Sequence, residues 1–335
     1  MSIVIKSPTR VDLAGGTLDL WPLYNFVGSA KTVNVAIDVW TKATLDARND
    51  GQVEINSLDL KQKWEFRTYK DFIEVLDPKL QLYHSVISKF NEKFPQIIQK
   101  GFSLTTQSES PIGGGLGGSS SLIISMMKAF SQLVDYKFSS SHEMVHWAHN
   151  IESEILNTPT GTQDYYPAIT GGLTCLNYNT YGIEQKVIET KGSPLYNNFL
   201  LVYTGRSHHS GLNNFEVLKS AINQDVKVVT ALKKIKSIAD DMWRVVNEQK
   251  WDLLPELFQQ EYEARIQLTP AFTSPEIERL HQIGLSNGAL AVKICGAGGG
   301  GCVLVWVQPE HRQKVIQACE NEKFQCLNAR PVSPL

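Results

Sequence analysis

The chain has 335 residues, of which 42% are hydrophobic and 20% are charged, an ordinary composition for a globular protein with a full core. Its 32 Lys and Arg residues against 34 Asp and Glu residues give a formal net charge of -2. No basic excess would attract nucleic acid or an anionic membrane, so the expected partner is a small molecule. At roughly 150 residues per domain, the length predicts about two domains.

The amino-terminal segment and the cysteines indicate a cytoplasmic protein. Residues 1–12 alternate polar and apolar side chains as a strand does, without the long apolar run of a signal peptide. No stretch approaches the roughly 20 apolar residues that span a bilayer. The five cysteines are odd in number and form no Cys-x-x-Cys pair, which favours reduced, buried thiols.

Strand signals dominate the first hundred residues. Asn49-Asp50-Gly51 predicts a hairpin turn that leads into a strand at 52–55. Leu80–Phe94 has a helical pattern, and Leu122–Val134 is apolar nearly all round, which predicts a buried helix. Runs of β-branched and apolar residues predict the other early strands, at Ile3–Ile5, Thr32–Trp40, Thr44–Ala47 and Phe102–Gln107.

Helices and strands mix in the rest of the chain. Ser140 followed by Glu143 is a capping-box pattern, which predicts the start of a helix that ends near Asn157. A loop and short turn are expected over 161–172. Further helices are expected at Gln224–Asn247, Trp251–Gln267, Glu276–Asn287 and Pro309–Asn321. Further strands are expected at Leu173–Leu176, Phe199–Tyr203, Ala291–Ile294 and Val303–Val307.

The order of these elements favours the α+β class, because strands and helices lack the regular βα alternation of a barrel or doubly wound sheet. The polar stretch 189–198 contains Gly192-Ser193-Pro194 and is the softest place to divide the chain. We therefore predict one domain over residues 1–192 and a second over residues 193–335.

The strongest functional signal is the glycine and serine segment Pro111–Ser121, which follows a strand and opens a helix. Backbone N–H groups of such a loop point at an anion, and the helix dipole adds about half a positive charge there. No Lys follows the glycines, which excludes a P-loop. The G-x-G-x-x-G match is weak, because the chain leaves no room for the second strand of a dinucleotide-binding unit.

Three segments resemble the motifs of the GHMP kinases, the family of galactokinase, homoserine kinase, mevalonate kinase and phosphomevalonate kinase. They are Pro8–Asp19, Pro111–Ser121 and Lys293–Val303, in the family's order. Gly161–Tyr166, followed by Gly171-Gly172, looks closest to bacterial D-glycero-D-manno-heptose phosphate kinases, with the fucokinases as near relatives. The resemblance implies a domain like the second domain of ribosomal protein S5 and a ferredoxin-like domain, with ATP and acceptor in the cleft between them.

The resemblance also implies roles for individual residues. Asp164 would be the catalytic carboxylate, and Arg10 would lie beside it to hold it ionised and offset charge on the transferred phosphoryl group. From position alone, Asp164 could instead cap a helix and Arg10 could be an exposed strand residue. ATP would contact the second motif, at Pro111, Gly113, Gly114, Gly115, Leu116, Gly117, Gly118, Ser119, Ser120 and Ser121.

Ser119 and Glu152 form the predicted Mg²⁺ site, with Ser120 in place of Ser119 if the register differs by one residue. On its helix, Glu152 has Ala148 at i−4 and lies at the edge of the buried face, whereas Glu154 is expected to face water. A carboxylate at an apolar edge needs a partner. An ordinary salt bridge is the alternative to a metal ion.

The acceptor site is predicted from the first and third motifs. Asp19, with Thr17 and Gly16, would read sugar hydroxyls; the alternative is that Asp19 caps the turn before Trp21-Pro22. Heptose kinases typically read Gly-Gly-Gly-Thr-Asp, whereas here Leu18 separates Thr17 from Asp19, so the acceptor can differ from the usual heptose. Gly298 and Gly299 would approach the ATP phosphates or the acceptor, or form only a tight bend.

The segment around Arg206, His208 and His209 brings cationic groups together after a strand and could bind a phosphate already on the acceptor. A solvated loop is the alternative. Taken together, the sequence predicts an ATP- and Mg²⁺-dependent kinase that phosphorylates a sugar hydroxyl, most closely a D-glycero-D-manno-heptose 7-phosphate type of acceptor. The alternatives are an isoprenoid-pathway kinase or decarboxylase of the same superfamily, or a non-catalytic nucleotide-binding protein.

Overall fold

The protein folds into two β-sheets with helices packed on them. The structure is a computed structural model and describes residues 2–207, 210–296 and 298–335. Residues 2–188 build the first sheet and residues 199–327 the second, so the predicted α+β class is confirmed. The predicted boundary between residues 192 and 193 lies in the connection between the sheets and stays a prediction.

The first sheet is organised around one long strand. The strands of this sheet are β1 (Ser2–Ala14), β2 (Ala30–Ala47), β3 (Val53–Ser57), β4 (Gln62–Phe66), β5 (Phe102–Ser108), β6 (Leu173–Asn179) and β7 (Gly182–Ile188). β2 pairs with β1 along one edge, and with β5 and β6 at different ends of the other edge. The two segments predicted at 32–40 and 44–47 are therefore parts of one strand.

The predicted hairpin at Asn49-Asp50-Gly51 is wrong. β3 pairs with β5 in parallel and with β4 antiparallel, and β5 lies between β2 and β3. The turn forms, but the chain then passes beyond β5 before it rejoins the sheet. Local turn residues do not reveal this insertion, since it depends on a strand that comes much later in the chain.

The second sheet is antiparallel, in the order β11-β8-β10-β9. Its strands are β8 (Phe199–Tyr203), β9 (Ala289–Ile294), β10 (Cys302–Val307) and β11 (Gln325–Leu327). β10 is buried along its whole length, as its unbroken apolar sequence leads one to expect. The strands predicted at 199–203, 291–294 and 303–307 are confirmed, apart from shifts at their ends.

The helices agree with the sequence patterns at most positions. Ser140 caps its helix by accepting from the N–H of Glu143, as the capping-box pattern predicts. The helix at 165–170 lies where only a loop and turn were expected. The sequence analysis also missed the short helices at 23–26, 69–74, 95–98 and 195–198 and the longer one at 210–222. The helices are α1 (Leu23–Phe26), α2 (Tyr69–Glu74), α3 (Gln81–Lys93), α4 (Pro95–Ile98), α5 (Gly118–Leu133), α6 (Ser141–Leu156), α7 (Tyr165–Thr170), α8 (Leu195–Asn198), α9 (Ser210–Ile222), α10 (Val226–Asn247), α11 (Leu254–Arg265), α12 (Pro275–Ser286) and α13 (Pro309–Asn321).

Two apolar cores flank the first sheet. On one face, α5 packs against β1 and β2, and α3 and α6 pack against α5. On the other face, α10 packs against β1 and β2 and carries that core on into the second sheet. This continuous core fixes the two sheets relative to each other. Among the described residues, no helix combines the length and apolar character needed to cross a bilayer; the cytoplasmic location stays a prediction.

Candidate active site

A cavity of about 320 Å³ opens where the two predicted halves of the chain meet. Arg10, Thr17 and Asp19 line it from the first motif, and the glycine loop lines it from the second. Asp164 lines it from the start of α7, and Gly296 from the third motif. The three segments that resemble the kinase motifs therefore surround one space.

Arg10 and Asp164 form an ion pair in this cavity. The Arg10 side chain donates from Nε to Asp164 Oδ1 at 2.8 Å, and its Nη2 lies 2.6 Å from the same oxygen. Arg10 also donates from Nη1 to the carbonyls of Gly115 at 2.7 Å and Cys295 at 3.1 Å. Burial alone would lower the pKa of Arg10, but the charges of Asp164 and Asp12 outweigh it and raise that pKa. Arg10 is thus a buried, permanent cation and not an exposed strand residue.

The glycine loop presents an uncapped helix end to the cavity. Gly117 has a left-handed conformation, with φ of 69°, and α5 begins after it without a side-chain cap. The first N–H groups of a helix have no partner within the helix, so this end suits an anion. The residues that line the cavity here are Pro111, Gly113, Gly114, Gly115, Gly117, Gly118, Ser119 and Ser120.

Two predicted ATP contacts point away from the cavity. Leu116 is fully buried in the apolar core, and its carbonyl accepts from the N–H of Arg10. The Ser121 hydroxyl donates to the carbonyls of Ser7 and Pro8. The Leu116 carbonyl and the Ser121 hydroxyl thus anchor the loop to β1, and neither residue lines the cavity. The predicted ATP contacts of these two residues stay predictions.

The third glycine segment packs against the second. The N–H of Cys302 donates to the Gly114 carbonyl at 2.7 Å. A Cβ at Gly296 would lie 2.9 Å from the Cα of Gly115, and one at Gly301 would lie 2.9 Å from the Gly114 oxygen. Glycine is required at both positions because backbone meets backbone.

Gly298 and Gly299 are not among the cavity-lining residues. Each would place a Cβ against the backbone of residues 271–272, which supports the alternative of a tight bend. Their predicted contact with the acceptor stays a prediction. Ala297, between the two halves of this loop, lies outside the described residues.

Glu152 lies at the buried edge of α6, whereas Glu154 is exposed, as the helical spacing predicts. Glu152 Oε2 accepts from Ser120 Oγ at 2.9 Å and from the Tyr165 hydroxyl at 2.5 Å. Burial raises the pKa of Glu152, although the hydrogen bonds from Tyr165, Ser120 and Ser119 act to lower it. Glu152 forms no salt bridge within the described part of the chain.

Ser119 and Ser120 both line the cavity beside Glu152. Ser120 Oγ donates to Glu152 Oε2 at 2.9 Å, and Ser119 also bonds to this carboxyl, so the choice between the two serines for the predicted metal site stays open. Within the described ranges, no group of three or more His, Cys, Asp or Glu residues could hold a metal ion. A cation here would depend on phosphate oxygens as well as on the carboxylate, which is the usual arrangement for Mg²⁺.

Asp19 is a buried residue that lines the cavity. Its Oδ2 accepts from the N–H of Gln163 at 3.1 Å, and a Cβ at Gly161 would collide with the same carboxyl. Burial, with the nearby charge of Asp164, raises the pKa of Asp19 to about 6. No hydrogen bond joins the Asp19 side chain to residues 20–22 in the described structure, so it does not cap that turn.

The neighbours of Asp19 divide into two groups. Thr17 lines the cavity, and its hydroxyl donates to Asn214 Oδ1 at 3.3 Å. Gly16 does not line the cavity; a Cβ there would lie 2.3 Å from Asp12 Oδ2. Gly16 instead lies against the buried carboxyl of Asp12, and its predicted substrate contact stays a prediction.

Arg206 does not line the cavity either. Its side chain is 58% exposed and lies 3.5 Å from Glu276, so it is the solvated loop residue of the alternative. Its backbone supports the third motif, because its carbonyl accepts from the N–H of Gly301 at 2.7 Å. His208 and His209 lie outside the described residues.

A buried charge cluster beneath the cavity escaped the sequence analysis. Arg265 donates to Asp12 at 2.8 Å and to Glu261, and Lys293 lies 3.4 Å from Glu261. All four side chains are almost fully buried, and the two cations balance the two anions. Lys293 stands in the otherwise apolar run Ala291–Cys295 and Asp12 between Val11 and Leu13, which is the signal that could have revealed the cluster.

Comparison with known proteins agrees with this geometry. Residues 81–172 match the family model described as GHMP kinases N terminal domain, and residues 244–326 match GHMP kinases C terminal. D-glycero-alpha-D-manno-heptose 7-phosphate kinase of Campylobacter jejuni is 28% identical over 96% of this chain and 94% of its own length.

Two solved structures show the same fold over the whole chain. Mevalonate kinase of Methanococcus jannaschii superposes with a TM-score of 0.79 at 20% identity, covering 99% of both chains. A D-glycero-D-manno-heptose 1-phosphate kinase of Bacteroides thetaiotaomicron superposes with a TM-score of 0.78 at 21% identity, covering 100% of this chain and 97% of that one.

Proposed function

The chain belongs to the GHMP kinase family and is an ATP-dependent phosphotransferase, and we propose that its acceptor is a sugar phosphate of the D-glycero-D-manno-heptose type. The observation that carries the proposal is the Arg10–Asp164 ion pair in a cavity that also contains the buried Asp19. The cavity thereby combines a group for the reacting hydroxyl with a group for the other hydroxyls of a polyol.

Asp164 is the group that orients the acceptor hydroxyl and accepts its proton. Its carboxyl is partly exposed to the cavity, while its Oδ1 is held by Arg10. A carboxylate in this position aligns the nucleophile, and positioning of this kind provides much of the catalysis in phosphoryl transfer. Arg10 holds a fixed positive charge beside the phosphoryl group in transit, where it stabilises developing negative charge.

The uncapped end of α5 binds the phosphates of ATP through backbone N–H groups. Glu152, with the hydroxyl of Ser119 or Ser120, holds Mg²⁺, since hard oxygen ligands suit this ion and the carboxylate lies at the cavity wall. When bound, Mg²⁺ neutralises charge on the phosphate oxygens. Glu152 is a suitable ligand because hydroxyls, and not a competing cation, occupy its oxygen Oε2.

Asp19 supports a polyol acceptor over mevalonate. An ionised carboxyl accepts two hydrogen bonds from neutral hydroxyls, whereas it would repel the carboxylate of mevalonate. The identity of 28% to the Campylobacter jejuni heptose 7-phosphate kinase, over nearly the whole chain, is the further support for a heptose.

The test is ADP release with a panel of acceptors: free heptoses, heptose 7-phosphate, fucose, galactose and mevalonate. We expect the highest kcat/KM with heptose 7-phosphate, and no turnover of mevalonate above the background of ATP hydrolysis. A preference for mevalonate would overturn the proposed acceptor and assign the chain to the isoprenoid branch. A preference for an unphosphorylated sugar would support the sugar kinase but contradict the proposal that the acceptor already carries a phosphate.

A further inference from the structure

Tyr165 is the residue directly after Asp164, and its side chain is fully buried at the start of α7. Its hydroxyl donates to Glu152 Oε2 at 2.5 Å, and Ser120 Oγ donates to the same oxygen at 2.9 Å. Both bonds fall on Oε2, and neither uses Oε1. These two bonds hold the carboxyl through Oε2 at the wall of the cavity.

The Tyr165 hydroxyl both satisfies the buried carboxylate of Glu152 and fixes its direction. A buried carboxylate without a cation beside it needs hydrogen-bond donors, and a phenol is a strong one. Apolar packing of the Tyr165 ring would be served equally well by phenylalanine. The hydroxyl is the one feature of this side chain that acts on Glu152.

We propose that Tyr165 is a positioning residue for the metal site: its hydroxyl fixes the rotamer of Glu152 so that the carboxyl is ready to bind a divalent cation. This inference rests on the proposed function, which makes Glu152 a ligand of Mg²⁺. Hydrogen bonds to a ligating carboxylate orient it, and their loss typically weakens metal binding about 10- to 100-fold.

The position of Tyr165 in the chain links the two halves of the reaction site. Asp164 points to Arg10, and the next residue points to Glu152. Consecutive residues at one helix end move together. The start of α7 therefore sets the positions of two carboxylates at once: that of Asp164, which would orient the acceptor hydroxyl, and that of Glu152, which would bind the metal ion. A cation bound at Glu152 is therefore held in fixed register with Asp164.

The chain offers a matched control in the neighbouring residue. Tyr166 is also buried in α7, and its hydroxyl bonds to His142 Nδ1 at 2.7 Å. Tyr166 does not line the cavity and does not contact Glu152 in the described structure. Removing this hydroxyl tests the general cost of losing a buried tyrosine hydrogen bond in the same helix.

The experiment measures Mn²⁺ binding by electron paramagnetic resonance of free Mn²⁺, with ADP kept below the protein concentration so that little unbound ADP is left to complex the metal. It compares the wild type with Tyr165→Phe, Tyr166→Phe and Glu152→Gln. We expect Tyr165→Phe to weaken Mn²⁺ binding about tenfold, with ADP affinity in the absence of metal unchanged. Tyr166→Phe should bind Mn²⁺ within about twofold of the wild type. The Mg²⁺ concentration for half-maximal turnover should rise by the same factor in Tyr165→Phe, while kcat at saturating Mg²⁺ is largely recovered.

The Glu152→Gln variant separates the two possible failures. If Glu152→Gln binds Mn²⁺ as the wild type does, the metal site of the proposed function is wrong. If Glu152→Gln weakens binding and Tyr165→Phe does not, the metal site stands and the role of Tyr165 is overturned. Equal weakening in Tyr165→Phe and Tyr166→Phe would also overturn it, because the effect would then be a general loss of packing in α7.

A folding defect in Tyr165→Phe would not end the test. In that case 4-fluorophenylalanine in place of Tyr165 fills the space of the hydroxyl without donating, and 4-aminophenylalanine restores a donor. Tight Mn²⁺ binding by the protein with 4-aminophenylalanine at this position, and weak binding by the protein with 4-fluorophenylalanine, would support the proposal. The same affinity with both analogues overturns it.

Discussion

The Arg10 guanidinium joins Asp164 to both glycine segments. Within one side chain, Nη2 lies 2.6 Å from Asp164 Oδ1, and Nη1 reaches the carbonyls of Gly115 at 2.7 Å and Cys295 at 3.1 Å. A planar guanidinium with five donors can make these bonds at once, which lysine cannot do. Arg10 therefore fixes the position of Asp164 relative to both glycine segments.

Asp164→Asn should lower turnover by at least about 10²-fold, the scale of losing a positioned acid-base group. Asparagine keeps the shape of the side chain but removes the charge and the proton acceptor. The measurement is ADP release with the best acceptor of the panel, beside ATP affinity from calorimetry, which should change little. Asp50→Asn, in an exposed pair with Arg48, is the control. Near-normal turnover of Asp164→Asn would remove this residue from the mechanism.

Glu152→Gln should raise the Mg²⁺ requirement, whereas Glu154→Gln should not. Glu152 lies at the cavity wall with its Oε2 held by two hydroxyls, and Glu154 is 63% exposed, 3.9 Å from Lys89. Both residues are glutamates of the same helix, so a difference between the two variants can be attributed to the position of the carboxyl. The measurement is a Mg²⁺ titration of turnover at fixed total ATP. Superimposable curves for the two variants would leave Glu152 a structural residue.

Local features of the sequence were enough for many elements and for the three motifs. The capping pattern at Ser140 predicts the start of its helix. Helical spacing predicts that Glu152 is buried while Glu154 is exposed. Strand order does not follow from such signals, because the insertion of β5 between β2 and β3 depends on long-range pairing. Sequence propensities therefore predict where a strand lies better than they predict which strands pair with it.

Within the site, sequence patterns identified the segments better than the individual contacts. Glycines in a run differ in no side-chain property. The sequence therefore cannot show that Gly296 lines the cavity while Gly298 packs on residue 272. Tyr165 was missed for a related reason. A tyrosine beside a catalytic aspartate reads as core until its hydroxyl is seen on Glu152.

Asp19 should make acceptor recognition depend on pH. Its pKa is raised to about 6 by burial and by the charge of Asp164, so the carboxyl becomes ionised only as the pH rises through that value. The ionised form accepts two hydrogen bonds from hydroxyls, so kcat/KM for the acceptor should rise with an inflection near pH 6. Asp19→Asn should lower kcat/KM by about 1–3 kcal/mol and lose this inflection. The same inflection in both proteins would assign it to another group.

The same carboxyl should affect stability with the opposite sign. A native pKa of about 6, above the ordinary value of 3.8, means that the folded protein binds this proton more tightly than the unfolded chain does. The contribution of Asp19 is therefore fully present below pH 3.8 and is lost as the pH rises to about 6. The shift corresponds to a change on the order of 3 kcal/mol. It should appear as a decline, across this window, in the unfolding free energy of the wild type relative to Asp19→Asn. A constant difference would contradict the buried, uncharged carboxyl.

The buried cluster beneath the cavity should be the most sensitive ionic feature of the protein. Glu261→Gln leaves two cations, Arg265 and Lys293, with only Asp12 to balance them in a site that excludes water. An uncompensated buried charge costs about 3–5 kcal/mol, far more than the loss of a surface pair. Glu322→Gln breaks an exposed pair with Arg279 and should cost no more than about 1 kcal/mol. Urea unfolding of both variants measures the difference directly. Because Arg265 also lines the cavity, Glu261→Gln should in addition raise the acceptor KM. Equal destabilisation by the two substitutions would show that water enters the cluster and screens it.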